Sequence, residues 1–133
     1  MSLQSEIVSY LEAAMLGTAG VDLFDNGLPP EPAAVVAIME YAGESPELVH
    51  GTAGIAYERR RFQVTARAAT FDAAMARATA VHDALVAVRN QMLGGTWYVA
   101  VQALQSPFPV EADASGRVRF VCNYRAEKRP SVA

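Results

Sequence analysis

The sequence predicts an α+β domain of order helix-β-β-helix-β-β, a four-stranded, mainly antiparallel sheet with its helices packed on one face. Three observations point there. Between Arg61 and Arg67 the residues alternate strictly, with Phe62, Val64 and Ala66 on one side and Arg61, Gln63, Thr65 and Arg67 on the other, as in a half-buried strand. From Thr70 the period changes, and Ala74, Ala78, Val81, Leu85 and Val88 recur at the spacing that sets side chains on one helical face. Alternation returns from Arg117 to Arg125, with Val118, Phe120, Cys122 and Tyr124 opposing Arg117, Arg119, Asn123 and Arg125. One-sided strands and a helix with a narrow apolar stripe satisfy each other as two packed layers.

Taken in order, Ser5 to Leu16 reads as a first helix within an N-terminal segment 1–17. Ile7, Leu11, Ala14 and Met15 share its face, Glu6 and Glu12 point outward, and Gly17 and Gly20 stop it. Thr18 to Pro32 is an ordered loop: Asn26-Gly27 and Pro29-Pro30 turn the chain, while Val21, Leu23 and Phe24 are too apolar to leave in water. Ala33 to Tyr41 is apolar on both sides until Glu40, which predicts a central strand. Gly43 to Gly54 has no period and predicts a mobile loop.

The organising stretch is Tyr57 to Asn90, a strand that passes into the longest helix. Thr70 suits its N-cap, Asp72 suits the positive end of its dipole, and Gly94 and Gly95 follow its end. Thr96 to Gln105 is apolar on both sides and predicts a second central strand. Ser106 to Pro109 breaks it, because proline cannot donate to a ladder; Val110 to Ala112 resumes pairing and Asp113 to Gly116 turns. The charged tail, 127–133, is expected to fray.

At 133 residues the chain has the length of a single domain, 1–133. An apolar fraction of 52% beside 19% charged residues excludes a disordered chain and suggests self-association. A net charge of -3 argues against non-specific nucleic-acid binding, which needs a concentrated positive field. A single cysteine cannot form an internal disulfide, so cytosolic folding is the expectation. No apolar run approaches the roughly 20 residues of a membrane span, and Glu6 sits where a secretory leader would be basic and then apolar.

Catalytic chemistry has little to work with. His50 and His82 lack the partners of a metal pair or acid-base couple, and Cys122, on an inward strand face, reads as a small buried hydrophobe. Asp22, Asp25, Asn26 and Glu31 cluster in one loop without the spacing or closing glutamate of a calcium site. Gly51-Thr52-Ala53-Gly54 is neither a phosphate loop nor a dinucleotide fingerprint. The expectation is no catalytic residue, no cofactor and no metal. What stands out is arginine on strand faces: Arg59, Arg61 and Arg67, then Arg117, Arg119 and Arg125, with Gln63, Thr65 and Asn123 between them. Such a face is either simply solvated or turned toward a protein partner.

The order of residues supplies a further clue. Leu23-Phe24, Leu28-Pro29, Val36-Ala37-Ile38 to Tyr41-Ala42-Gly43, Tyr57-Glu58-Arg59, Gln63-Val64 and Arg67 are followed by Gln105-Ser106-Pro107-Phe108, Asp113, Gly116-Arg117 and Asn123-Tyr124. This succession, from Leu23 to Arg125, resembles the bacteriophage minor capsid family also described as tail terminator proteins. Arg60-Arg61 departs from it where a Pro-Gly-like step is expected, as does Val110-Glu111 where glycine is usual.

The resemblance implies a structural protein of a phage or prophage virion, assembled in the host bacterial cytoplasm and carrying no catalytic residues. It implies a homo-oligomeric ring, typically a hexamer, that caps the head-proximal end of the tail tube and meets the head-completion proteins. Contacts with neighbours are expected on Arg59, Arg61, Gln63, Arg67, Arg117, Arg119 and Arg125 and on the 43–54 loop, with reversal of Arg67 to Glu sparing the monomer. A head-completion or connector protein is the alternative in the same setting. A small ligand-binding α+β domain, using His50, His82 and Cys122, is the alternative from another class.

Overall fold

The computed structural model describes residues 2–25, 27–43, 47–48 and 55–129. Two helices, α1 (Leu3–Ala13) and α2 (Phe71–Val86), accompany the strands β1 (Leu23–Phe24), β2 (Val35–Gly43), β3 (Glu47–Leu48), β4 (Ile55–Ala68), β5 (Arg89–Leu93), β6 (Thr96–Ala103), β7 (Phe108–Val110) and β8 (Val118–Lys128). The strands form an eight-stranded sheet in the order β1-β2-β4-β8-β6-β5, with β3 paired to β4 and β7 to β8. Among the described strands the pairings are antiparallel except β1 with β2.

The expected class and the placement of both helices on one face agree with this fold. The four-stranded count does not. The additional strands β1, β3 and β7 are two or three residues long, too short to display a period. β5 was concealed differently: the apolar stripe of α2 continues through the buried Val88, although the helix ends at Val86. Gly94 and Gly95, expected just past a helix, instead form the two-residue turn between β5 and β6, with Leu93 opposite Thr96. Their φ values of 57° and 89° are the double left-handed pair that such a hairpin favours.

Inside the two-layer core, Phe62, Val64 and Ala66 of β4 face Tyr124, Cys122 and Phe120 of β8 in register. Phe62 stacks on Tyr124 with ring centroids 5.3 Å apart. Ala74, Ala78, Val81 and Leu85 lower α2 onto this surface, and small alanines at its first turns bring helix and sheet close. As expected, the Thr70 hydroxyl caps α2, accepting from the Ala73 N–H at 3.2 Å. Leu3, Ile7, Val8 and Leu11 seat α1.

α1 departs from the expected helix at both ends and on one face. Its N-cap is Ser2, whose hydroxyl accepts from the Ser5 N–H, and it stops before Met15, which turns left-handed at φ 62° and stands exposed. Glu6 points inward. Its carboxylate accepts from the Thr96 hydroxyl at 2.5 Å and the Tyr98 hydroxyl at 2.8 Å, so a buried acid is satisfied by two donors from β6. Burial, with Glu6 as acceptor, pushes the Tyr98 hydroxyl well above its ordinary pKa.

Three further expectations need correction. β2 and β6, both expected to be central, are each second from an end of the sheet, because beyond β2 lies only the two-residue β1 and beyond β6 only β5. The chain does not fray at Glu127: β8 runs to Lys128, which is 3% exposed with its ammonium 3.4 Å from Glu58. Part of the presumed loop 43–54 is strand β3, whose backbone pairs with Tyr57 and Ile55. His50, most of that loop and residues 130–133 lie outside the described residues.

Candidate assembly surface

Alternation on β4 and β8 leaves a second sheet face opposite the helices, and the polar strand residues meet there. Arg61 lies across from Arg125, Gln63 from Asn123 and Arg67 from Arg119. Gln63 donates to the Asn123 amide oxygen at 3.0 Å, and Arg125 donates to Gln102 at 2.6 Å. Arg59 sits 3.6 Å from Glu127 at the far end of the same face.

Two of the expected contact residues serve the interior of the chain's own fold. Arg67 is 3% exposed, and its guanidinium donates to the carbonyls of Pro29 at 2.6 Å, Pro32 at 2.7 Å and Ala33 at 3.1 Å. A proline-rich loop has few N–H groups with which to satisfy its carbonyls, and Arg67 supplies the donors. Burial and the adjacent Arg117 lower the Arg67 pKa from its ordinary value. Charge reversal here would place a carboxylate against carbonyl oxygens, so the expectation that Arg67→Glu spares the monomer does not stand.

Arg117 reaches the same loop through the Pro30 carbonyl and is held by Asp113 at 2.8 Å. Asp113 also accepts from the N–H groups of Ser115 and Arg117, both at 2.9 Å, closing the turn before β8. The Arg117 N–H first, and its guanidinium with it, hold the Asp113 carboxyl below its usual value. Arg119 donates to the Glu111 carbonyl at 2.7 Å, while its Nε is buried without a hydrogen-bond partner among the described residues.

Beside Arg119 the face is concave. A cleft of about 500 Å³ is lined by Gly27, Leu28, Ala37, Met39, Gln63, Thr65, Phe108, Val110, Arg119 and Val121. Its apolar walls were not among the candidates read from sequence. The signal available was the second apolar side of β2, Ala37 and Met39, together with Phe108 held between two prolines. Such a mixture of apolar walls and a few polar groups matches a protein-binding surface more closely than a fully solvated sheet.

His82, Cys122 and Asp22 are engaged structurally. The His82 Nδ1 lies 3.0 Å from the Tyr124 hydroxyl, and Cys122 is buried with its sulfur 3.1 Å from the Gln105 carbonyl, its thiol pKa raised by burial. Asp22 pairs with Arg77 at 2.9 Å and accepts from the Thr18 N–H at 2.6 Å. Among the described residues no group of three His, Cys, Asp or Glu could hold a metal ion, and no helix is long and apolar enough to cross a membrane.

Three comparisons bear on this geometry. A family model described as bacteriophage tail terminator protein matches residues 10–129. Among solved structures, a chain from the virion of a native gene transfer agent particle superposes with a TM-score of 0.67 at 23% identity, covering 97% of this chain and 96% of that one. That likeness shows a shared fold. No curated protein matches the chain.

Proposed function

Because the chain belongs to the bacteriophage tail terminator family and is a structural tail-completion protein of the virion, we propose that it closes the tail tube as a ring. The carrying observation is that the family match runs from within α1 to the end of β8, and so takes in the whole sheet and its helix-free face. A hexamer of this chain sits on the head-proximal end of the tube. Its lower surface matches the last ring of tube subunits, and its upper surface receives a head-completion protein instead of another tube subunit. Growth stops because the two surfaces differ.

Ring closure needs heterologous contacts whose rotation returns to the start, since the same contacts without closure give a filament. Arg59, Arg61, Gln63, Arg119 and Arg125, together with the cleft walls, supply the polar and apolar parts of such a contact. The role is one of binding, with no catalytic step. The likeness of fold to a component of a gene transfer agent virion supports the same setting.

The test is growth of tail tubes from purified tube protein, followed by electron microscopy, with and without this chain. Tubes of arrested length bearing a cap at one end support the reading. Tubes that lengthen equally in its presence, with the chain bound to neither end, overturn it. Light scattering across protein concentration and salt reports the ring itself, and a joint that uses arginines weakens as salt rises.

A further inference from the structure

On the opposite side of the sheet from the cleft, α2 presents an apolar pair that the described residues leave exposed. Phe71 is 49% exposed and Met75 43%, one helical turn apart, with the exposed Asp72 to one side of them. The edge of Phe71 meets Phe120 at 5.1 Å between centroids, and Phe120 is flanked on β8 by Arg119 and Val121 of the cleft. The pair and the cleft therefore stand back to back across the same three residues of one strand. Asp72 and Arg119 are opposite in sign: Arg119 lines the cleft, and its buried Nε has no acceptor among the described residues.

We propose that this face of α2 seats in the cleft of the next copy of the chain, Phe71 and Met75 entering between Met39 and Phe108 while the Asp72 carboxylate meets Arg119. The inference rests on the ring reading above and identifies its joint. A donor face and an acceptor face on opposite sides of one subunit make a heterologous contact, in which neither face is consumed by self-pairing. Apolar anchors seated in a pocket form the usual centre of a protein interface, and a charge pair beside them fixes the register.

Charge exchange tests the joint in the full-length chain. Asp72→Arg and Arg119→Asp are each expected to weaken assembly at least about tenfold, and the double exchange to restore it, because the pair is then re-formed with reversed sign. Circular dichroism of each variant checks that the subunit is folded. Since Arg119 also holds the Glu111 carbonyl, a second measurement avoids it: Met75→Cys chains are mixed with Phe108→Cys chains under mild oxidation. Cross-linking between unlike chains, and not within either variant alone, supports the joint.

Cross-linking of Met75→Cys chains to one another would overturn it in favour of a two-fold contact. Wild-type rings that ignore both the exchange and the cross-link would overturn the joint and leave the tail-terminator reading standing, with the cleft free for a tube or head protein. If the wild-type chain assembles neither free nor on tubes, the ring reading fails and the joint fails with it.

Discussion

Phe62 and Gln63 are neighbours on β4, yet their side chains enter different environments. Phe62 is fully buried against Tyr124 beneath the helices, whereas Gln63 crosses the open face to Asn123 and borders the cleft. The same division runs along β8, where Phe120, Cys122 and Tyr124 face the core and Arg119, Asn123 and Arg125 face away. Area removed from water accumulates on one face, and hydrogen-bonding capacity on the other. Stability should therefore reside largely on the helical side, while the helix-free side can be altered for recognition at small cost to the fold.

The largest expected effect is on the covered face. Phe62→Ala removes a buried ring and half of an aromatic stack, and should cost about 4 kcal/mol in denaturant unfolding. Arg67→Ala is the variant most able to break the comparison, because it lies on the helix-free side and still serves the interior. Loss of its donors to Pro29, Pro32 and Ala33 should cost about 3 kcal/mol. A loss under about 0.5 kcal/mol, the range of ordinary surface changes, would show that this loop is held by its prolines alone.

A smaller effect is expected at the margin of the sheet, where Asp22 meets Arg77. Burial raises the Asp22 pKa, but the Thr18 N–H and Arg77 outweigh it, and the net shift is downward. A carboxyl depressed in the folded state stabilises above its unfolded pKa, and that contribution disappears as pH falls through the folded value. Asp22→Asn should thus cost about 0.5 kcal/mol at neutral pH and nothing at low pH, which unfolding curves across the acid range would check. The smallest effect is at Gln63→Ala, expected within about 0.5 kcal/mol for the subunit. If tube capping is also unchanged, Gln63 leaves the set of contact residues.

Features carried by local signals were legible in the sequence. Alternation placed the cores of β4 and β8, and Thr70 marked the start of α2, because period and capping act within a few residues. β5 escaped since Arg89-Asn90-Gln91 offers no apolar alternation and Val88 prolongs the helical stripe. Glu6 was read as exposed because nothing local announces the two hydroxyls of β6 that receive it. Arg67 and Arg61 share one side of the alternation, and only the tertiary path of the Pro29–Ala33 segment marks Arg67 as the one that serves the interior. The cleft was illegible for the same reason: its walls come from β2, β4, β7, β8 and the Gly27–Leu28 segment, far apart in the chain.

One feature of the topology bears on the timing of synthesis. β8, the last element, pairs with β4, β6 and β7, and its partners on β4 lie about half the chain earlier. Contacts of such sequence separation form slowly, because the entropy of closing the intervening loop is lost before they reward it. A chain still emerging from the ribosome, or one truncated before Val118, has neither the Arg119 wall of the cleft nor the strand that supports Phe71. On the ring reading, incomplete copies would therefore lack one wall of the proposed joint and the support beneath its other half, and could not complete the contact.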